Sequence, residues 1–405
     1  MILDKLNFIL NYSNKNIKYY HNVFKKVDWV KSREDVISLN SLNQLEELPI
    51  INKKIIRENF KDLKSNDKII KNYYKNSSGG STGEKAIFLQ HDTFKLHTTS
   101  NFLFFLKKLG LNPWNNNYFL IWGSVDDIGR PTLPKNLFHH YLFHNRILLN
   151  SSDLTQENLH RACEILELIS FDYVRGYSQS LSVIAKFILQ NKYKINQKIV
   201  VSTASKLDNK TADLIISAFN CELYDFYGSR EVGAISYSKY NDKHNIFPLN
   251  NFVEIDFNEN YSHKSRKGRL LLTNLNSFKM PLIRYDIGDQ AECKDDFNNF
   301  QFDKIFGRSV DLFKLENGNV VDGTSLNHLL NNLESVKQFQ IIQESLFVIK
   351  FKIVSKTNLN VDEINSIEQL FKSIFSEKCK FIWEYVSEIP LSKSGKRVYI
   401  ISKVK

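Results

Sequence analysis

The residues with the clearest chemical potential form a run rich in glycine and hydroxyls, NSSGGSTGEK, from Asn76 to Lys85. Three glycines let backbone N–H groups turn toward an anion, the hydroxyls add donors, and the lysine adds a positive charge. The run therefore predicts a phosphate-binding loop. A solvated Gly/Ser linker is the alternative interpretation.

The spacing of this loop differs from that of nucleotide triphosphatases. Their G-x-x-x-x-G-K-[ST] pattern opens a helix, whereas here Gly79 and Gly83 are four residues apart and an acidic residue precedes the lysine. Residues 86–90 are a short apolar run of strand length, and the next helical pattern begins near Asp92. We therefore predict a loop between two strands.

A second segment with suitable chemistry is YDFYGSREVG, at the end of a predicted strand. Gly228 would permit a tight turn, Arg230 could pair with a phosphate, and Glu231 offers a hard oxygen ligand for Mg²⁺. An ordinary strand-to-loop transition with a surface Arg–Glu pair is the alternative.

Three further positions could contribute to a nucleotide site. Asp289 follows a glycine, where a carboxylate can bind ribose hydroxyls, although a turn aspartate is the simpler interpretation. Arg308, in IFGRSVD, lies where the chain changes character and could join two domains or be a surface arginine in a turn. Lys396, in the basic stretch PLSKSGKR, could equally be a solvated charge.

The elements that must position these residues change along the chain. Residues 1–75 are predicted to be mainly helical, with a break at Pro49. Farther on, helical patterns alternate with short apolar runs, which indicates βαβ units and a sheet covered by helices on both faces. The predicted helices are 95–109, 159–170, 181–190 and 209–219, and the predicted strands are 118–122, 173–176, 199–202 and 221–227.

Strand patterns dominate from residue 252 onward, including 269–273. The Asn-Gly pair at 317–318 predicts a hairpin with a type I′ turn. A smaller α+β unit starts near residue 306. Its predicted elements are strands at 338–342, 346–354 and 380–386, and a helix at 361–375.

Composition limits the classes of protein that fit. With 405 residues, 42% hydrophobic and 13% aromatic, we expect a globular protein of two domains or more. No apolar stretch approaches the roughly 18 to 20 residues of a membrane span, and the first ten residues do not suit a signal peptide, so we expect a cytoplasmic protein. The single cysteines, Cys163, Cys221, Cys293 and Cys379, predict reduced and mostly buried thiols.

The net charge of +11 says little about a partner, because the lysines are spread through Asn- and Lys-rich stretches. We therefore do not expect nucleic-acid binding. The oligomeric state cannot be read from the sequence.

Taken together and in this order, the five segments resemble the core motifs of the adenylate-forming superfamily of acyl-CoA synthetases, luciferases and peptide-synthetase adenylation domains. The chain looks most similar to the phenylacetate-CoA ligase and CapK-like branch. It is short, its loop reads SGGSTG, LPIINK precedes that loop, and RGYS precedes a helix. CapK-like members are associated with surface polysaccharide biosynthesis.

The resemblance implies an α/β fold in which a large N-terminal domain with helix-covered sheets, residues 1–306, binds ATP and a carboxylate. A smaller, mobile α+β domain, residues 307–405, would act as a lid and carry the catalytic lysine. The implied cofactors are ATP and Mg²⁺, and coenzyme A, a carrier thiol or an amine such as an amino sugar would accept the acyl group. The implied activity is activation of a small carboxylic acid to an acyl-adenylate, followed by transfer.

The resemblance also assigns roles to single residues. Lys396 would bridge the substrate carboxylate and the α-phosphate, Glu231 would hold Mg²⁺, and Arg230 completes the implied catalytic set. Tyr227 would stack on adenine and Asp289 would bind ribose. The implied nucleotide-binding residues are Ser78, Gly79, Gly80, Ser81, Thr82, Gly83, Lys85, Ala204, Ser205, Tyr227, Gly228, Ser229, Asp289 and Arg308.

Several positions depart from the family pattern. Lys85 stands where proline is more usual, Arg230 replaces a threonine, and Val310 replaces the first aspartate of the hinge motif. YDIGD also lacks the arginine and threonine of the family's Tyr-Arg-Thr-Gly-Asp motif. A homologue that binds ATP or an acyl-adenylate without turnover therefore stays an alternative. So does a nucleotide-sugar transferase, which would share the glycine loop but not need Lys396.

Overall fold

A computed structural model gives the architecture of the chain. It describes residues 2–27, 29, 37–77, 86–122, 145–151, 154–204, 207–247, 249–257, 266–293, 300–308, 312–316, 320–322, 330, 333, 335–355, 357–390 and 398–404. These residues fall into two compact units, and the division along the chain lies between Ile305 and Phe306. Each unit has its own hydrophobic core.

The N-terminal unit combines helices with two large sheets. Its α-helices are α1 (Ile2–Asn16), α2 (Lys18–Phe24), α3 (Lys53–Glu58), α4 (Asp92–Lys108), α5 (Gln156–Leu168), α6 (Ser178–Gln190) and α7 (Asn209–Phe219), with a 3₁₀ helix at Leu42–Glu47. Its strands are β1 (Tyr73–Ser77), β2 (Ile87–His91), β3 (Tyr118–Trp122), β4 (Arg146–Asn150), β5 (Tyr173–Tyr177), β6 (Ile199–Thr203), β7 (Glu222–Ser229), β8 (Gly233–Lys239), β9 (His244–Ile246), β10 (Asn251–Phe257), β11 (Arg266–Asn274), β12 (Tyr285–Cys293) and β13 (Gln301–Phe302). The next strand, β14 (Lys304–Arg308), begins in this unit and continues past the division.

The central sheet has the strand order β13-β9-β8-β7-β6-β5-β3-β4. Strands β4, β3, β5, β6 and β7 are parallel, and β8, β9 and β13 continue the sheet in antiparallel fashion. All five residues of β6 are buried. A continuous apolar run is expected for a parallel strand that is covered on both faces.

Helices cover this sheet on both sides, as the alternating pattern predicts. Apolar residues of α5, α6 and α7 pack against one face, which Val174 and Val200 help to form. On the other face, Phe105 and Leu106 of α4 pack with Tyr173 and other strand residues. Consecutive strand residues thus serve opposite cores, as the two-residue period of a strand requires.

The second sheet of this unit has the order β10-β11-β12-β14 and packs against the N-terminal helices. Tyr20 of α2 shows how the two are joined, since its buried hydroxyl donates to the carbonyl of Pro281 over 2.9 Å and accepts from the N–H of Ile283 over 3.1 Å. A separate antiparallel hairpin, β1–β2, pairs Ser77 with Ile87. The glycine-rich segment therefore connects two strands, as predicted.

The C-terminal unit is α+β. Its elements are β15 (Leu312–Lys314), β16 (Val320–Asp322), β17 (Val336–Ser345), β18 (Val348–Ser355), α8 (Val361–Ile374), β19 (Lys380–Tyr385) and β20 (Ile400–Ser402). The main sheet has the order β19-β18-β17-β20, and Phe371 of α8 is fully buried in the core of this unit. Asn360 and Glu363 form a capping box at the start of α8. Strands β15 and β16 pair antiparallel around the predicted Asn-Gly turn, which lies outside the described residues.

The prediction of a mainly helical segment up to residue 75 is wrong in its last part. After α3 no α-helix follows within residues 59–77, and Tyr73–Ser77 is a strand. The predicted fold class, α/β with a smaller α+β C-terminal unit, is confirmed. All four cysteines are free thiols, and Cys163, Cys293 and Cys379 are buried. Among the described residues, no helix has the length and apolar character to cross a membrane.

Candidate active site

The carboxylate of Glu231 is the most unusual group in the N-terminal unit. Glu231 lies between β7 and β8 and is only 4% exposed. Its Oε1 lies 3.6 Å from the Nζ of Lys53 and, within the described part of the chain, has no hydrogen-bond partner. A buried carboxylate with an unused oxygen is costly to maintain. The alternative interpretation, a surface ion pair between Arg230 and Glu231, is therefore wrong. The carboxylate of Glu231 is buried, and the cation beside it is Lys53.

Lys53 is held in place by the start of α3. The side chain of Asn52 caps this helix by accepting a hydrogen bond from the N–H of Ile55 over 3.0 Å. The preceding residue, Ile51, donates its N–H to the carbonyl of Arg284 over 3.1 Å and accepts from the N–H of Asp286 over 2.8 Å. Lys53 is thereby held beside the start of β12, the strand that carries Asp289.

The side chain of Arg284 holds the backbone just before Lys53 by hydrogen bonds. Its Nη1 donates to the carbonyls of Glu46 and Leu48 over 2.6 and 2.5 Å, and its Nε donates to Glu254 over 2.9 Å. Burial raises the pKa of Glu254 to about 7, although the neighbouring guanidinium opposes this shift. The backbone of Arg284 has φ +49°, a left-handed value that few side chains adopt. These contacts hold the LPIINK segment firmly beside β12.

Tyr227 and Asp289 meet between the two large sheets of the unit. The hydroxyl of Tyr227, on β7, donates to Oδ2 of Asp289, on β12, over 2.5 Å. Gly288 makes this possible, because its φ of +89° suits glycine and the register of β12 against β11 shifts at this point. Asp289 thus lies in an irregular strand and not in a turn.

The hairpin that carries the glycine-rich segment is bonded to the backbone beside Glu231. Gln90 of β2 donates its Nε2 to the carbonyls of Arg230 and Glu231 over 2.7 and 3.1 Å. Asn76 of β1 donates to Oε1 of Gln90 over 2.9 Å. The two strands that flank the predicted phosphate loop are therefore fixed to the predicted magnesium ligand.

A tight turn joins Tyr227 to Glu231 and the next strand. A Cβ on Gly228 would lie 2.7 Å from the carbonyl oxygen of Gly233, so only glycine fits there without displacing backbone. Gly233 itself has φ +74°. The hydroxyl of Ser229 accepts a hydrogen bond from the N–H of Val232 over 3.3 Å.

The structure describes only some of the remaining predicted site residues. Ala204 follows β6 with φ +72°, a strained backbone value for a residue with a side chain. Arg308 is the last residue of β14, and Arg230 is half-buried. Ser78, Gly79, Gly80, Ser81, Thr82, Gly83, Lys85, Ser205 and Lys396 lie outside the described residues, as does Val310. The structure brings Glu231, Tyr227 and Asp289 into one region of the N-terminal unit.

Sequence reasoning missed three residues of this region. Lys53, Asn76 and Gln90 had no assigned role, although Lys53 closes the LPIINK segment and Asn76 opens the loop segment. Gln90 carries no recognisable signal, since a glutamine at the end of a strand is usually a surface residue.

A magnesium site would need ligands besides Glu231. Within the residues that the structure describes, no group of three or more His, Cys, Asp or Glu side chains could enclose a metal ion. Mg²⁺ commonly uses one or two protein carboxylates together with substrate phosphates and water. The buried, unbonded Oε1 of Glu231 fits that mode of binding.

Comparisons with known proteins address the fold and the family. Residues 313–403 match the family model of the CapK C-terminal domain. Protein CapK of Staphylococcus aureus is 24% identical over 418 residues, which cover 98% of this chain and 87% of that protein. A crystal structure of 2-hydroxyisobutyryl-CoA ligase in the postadenylation state, in complex with R3-HIB-AMP, has a TM-score of 0.69 at 13% identity, covering 99% of this chain and 89% of the ligase.

The chain has the fold of adenylate-forming CoA ligases. The match of the C-terminal unit and the similarity to Protein CapK agree with the CapK-like resemblance of the five motifs. A second solved structure, the anthranilate CoA ligase AuaEII in complex with anthranoyl-AMP, has a TM-score of 0.54 at 14% identity and covers 80% of this chain and 65% of the ligase. At these identities the solved structures support the fold of this chain and do not define its substrate.

Proposed function

We propose that this chain uses ATP to convert a carboxylic acid into an acyl-adenylate and then transfers the acyl group to a thiol or an amine. Coenzyme A, a carrier thiol and an amino sugar are the candidate acceptors. A role in surface polysaccharide biosynthesis extends this proposal and rests on the CapK-like resemblance alone.

The observation that carries the proposal is the arrangement around Glu231. A buried carboxylate with a free oxygen lies beside the hairpin of the phosphate loop, and the same turn leads back to the Tyr227–Asp289 pair. A nucleotide needs these three features together, namely donors for its phosphates, an oxygen ligand for its metal and a carboxylate for its ribose.

The chemistry follows from charge. A carboxylate and ATP are both anions, so an in-line approach of a carboxylate oxygen to the α-phosphorus requires cations that neutralise both partners. In this proposal Lys396 contacts the acid and the α-phosphate, while Glu231 holds Mg²⁺ on the phosphates. When bound, the metal supplies electrostatic stabilisation to the phosphate oxygens. The carboxylate oxygen bonds to phosphorus and pyrophosphate leaves.

The turn residues have a preparatory role. Gly228 and Ser229 form the tight turn between Tyr227 and Glu231, and Gln90 donates a hydrogen bond to the backbone carbonyl of Glu231. Rigid placement of charged groups before the substrate arrives is the main source of electrostatic catalysis.

A screen of ATP–pyrophosphate exchange across carboxylic acids tests the proposal. Exchange that requires an acid supports adenylation. Sugar-phosphate-dependent release of pyrophosphate, without acid-dependent exchange, would instead support a nucleotide-sugar transferase. ATP binding measured by calorimetry without exchange for any acid would support a non-catalytic homologue, the alternative suggested by Arg230 and Val310.

A further inference from the structure

Arg175 is a half-buried cation that contacts aromatic rings on one face of the central sheet. It lies in the middle of β5, on the face covered by α4. Its Cζ is 4.1 Å from the centre of the Phe102 ring and 5.3 Å from the rings of Trp122 and Phe226. Such cation–ring contacts are favourable, and more so when water is excluded. They do not replace a counter-ion.

The guanidinium has no acidic partner within the described residues. Its Nε is buried and makes no hydrogen bond to any residue that the structure describes. Burial lowers the pKa of Arg175, yet an arginine stays protonated in proteins. A largely desolvated cation to which the described residues offer no anion is unfavourable, so a bound anion would stabilise it.

The position of Arg175 relative to the nucleotide region is given by the strand register. Arg175 is paired with Val201, and Val201 is paired with Tyr224. Tyr227 is three residues farther toward the carboxyl edge, which corresponds to about 10 Å along the strands. Two strand spacings add about 10 Å across the sheet. An anion held by Arg175 therefore lies on the order of 14 Å from the position of Tyr227, the proposed adenine contact.

The edge of the sheet above Arg175 is also aromatic. Trp122 and Tyr177, at the carboxyl ends of β3 and β5, contact each other with ring centres 4.6 Å apart. In open α/β sheets, ligands bind beyond the carboxyl ends of the strands. A molecule that binds at this edge would contact the rings of Trp122 and Tyr177 before it reached the guanidinium of Arg175.

From this juxtaposition of an unpaired guanidinium and aromatic walls, we infer that the acid activated by this chain carries a second carboxylate, bound by Arg175 at the end remote from the reacting carboxylate. The inference rests on the proposed function, because the reacting carboxylate is taken to lie at the nucleotide. A bidentate pair between the guanidinium and a carboxylate gives this cation its counter-ion. The substrate class is thus a dicarboxylic acid or an acid of similar charge.

The test compares acids that differ only in the remote charge. Succinate, glutarate, adipate and suberate are each assayed beside their monoamides in acid-dependent pyrophosphate exchange. For the preferred length, the parent protein is expected to show a KM for the diacid at least tenfold below that of the monoamide. This comparison needs no variant and so does not depend on the folding of one.

Two variants then assign the preference to one residue. Arg175→Met should raise the diacid KM at least tenfold and leave the monoamide KM within about twofold, while Arg175→Lys should retain part of the preference. Arg146→Met, on the neighbouring part of the same sheet, is the control and should keep the parent's ratio. Thermal unfolding of each variant reports whether it is folded.

The outcomes separate this inference from the proposed function. Monoamides or simple monoacids that match the diacids in the parent overturn the inference and leave adenylation intact. An equal rise of both KM values in Arg175→Met also overturns it, since that result indicates a packing role. Absence of exchange with every carboxylic acid overturns the proposed function and this inference with it.

Discussion

The hydroxyl of Tyr227 donates a 2.5 Å hydrogen bond to Oδ2 of Asp289, and this bond joins strands of two different sheets. It connects the residue proposed to stack on adenine with the residue proposed to bind ribose. In the proposed function, this hydrogen bond would align two contacts to the same nucleoside before ATP binds.

Removing this hydrogen bond should weaken nucleotide binding. Tyr227→Phe keeps the ring but frees the Asp289 carboxylate, and a hydrogen bond to a charged group contributes roughly 1.5–3 kcal/mol. We expect the Kd for ATP, measured by calorimetry, to rise about tenfold. Tyr237→Phe on the adjacent strand is the control, and an equal effect in both variants would argue against the aligning role.

The buried pair of Lys53 and Glu231 should contribute strongly to stability. Lys53→Met leaves the Glu231 carboxylate buried and unpaired, which should lower the free energy of unfolding by about 3 kcal/mol in urea titrations. The double variant Lys53→Met with Glu231→Gln should regain much of this loss, because no buried charge remains.

A surface pair supplies the control for that experiment. Lys18 and Asp62 are 3.2 Å apart but well exposed, so Lys18→Met should change stability by less than about 0.5 kcal/mol. If Lys53→Met were as mild as Lys18→Met, the described burial of Glu231 would be wrong.

A second polar cluster, on the neighbouring strands β7, β8 and β9 of the central sheet, should govern how the free energy of unfolding depends on pH. His244 lies 3.9 Å from Asp225 and contacts the hydroxyls of Ser236 and Ser238. Burial raises the pKa of Asp225 to about 7 and lowers the pKa of His244 to about 4. Both groups are therefore neutral in the folded protein at intermediate pH.

These two pKa shifts change the free energy of unfolding in opposite directions as pH rises. The raised pKa of Asp225 makes its stability contribution fall as pH rises from about 4 to 7, because the folded state holds the proton. The lowered pKa of His244 makes its contribution rise from about pH 4 to 6.5, because the unfolded state binds the proton. Each slope is at most about 1.4 kcal/mol per pH unit, so the two nearly cancel in the parent protein.

Single substitutions should reveal the pH dependence of stability that each of the two groups contributes. Relative to the parent, His244→Gln should lose stability as pH rises from about 4 to 6.5, and Asp225→Asn should gain stability from about pH 4 to 7. Urea unfolding at half-unit pH intervals measures both differences. Parallel curves for the parent and both variants would contradict neutral burial of the pair.

The proposed role of Lys396 predicts a selective loss of chemistry. Lys396→Ala should reduce acid-dependent pyrophosphate exchange by about a hundredfold to a thousandfold, as when one donor to a developing anion is removed. The Kd for ATP should stay within about threefold. Lys403→Ala, whose ammonium pairs with Glu344 on the surface, is the matched control. Unchanged exchange in Lys396→Ala would remove this lysine from the mechanism.

Local signals explain what the sequence could predict. The helix Asn209–Phe219 is predicted to the residue, because Asp208 caps its start and Asn220 ends it in a left-handed conformation. Tyr227 and Glu231 are recognisable because they share one short segment with a glycine between them.

The rest depends on contacts between distant residues. The nearest cation to Glu231 in the sequence is Arg230, yet packing of the LPIINK segment against β12 brings Lys53 to the carboxylate instead. Tyr73–Ser77 looks helical in isolation, but pairing with β2 makes it a strand, since strand formation depends on the partner more than on local propensity.

Oxygen transfer from acid to nucleotide tests the central proposal most directly. An acid that supports exchange, labelled with ¹⁸O in its carboxylate, is incubated with ATP and hydroxylamine as acceptor, and the products are examined by mass spectrometry. Formation of an acyl-adenylate predicts one ¹⁸O atom in AMP, because the carboxylate oxygen bonded to phosphorus stays there when the acyl group leaves. Unlabelled AMP, or ADP with ¹⁸O in inorganic phosphate, would contradict adenylation.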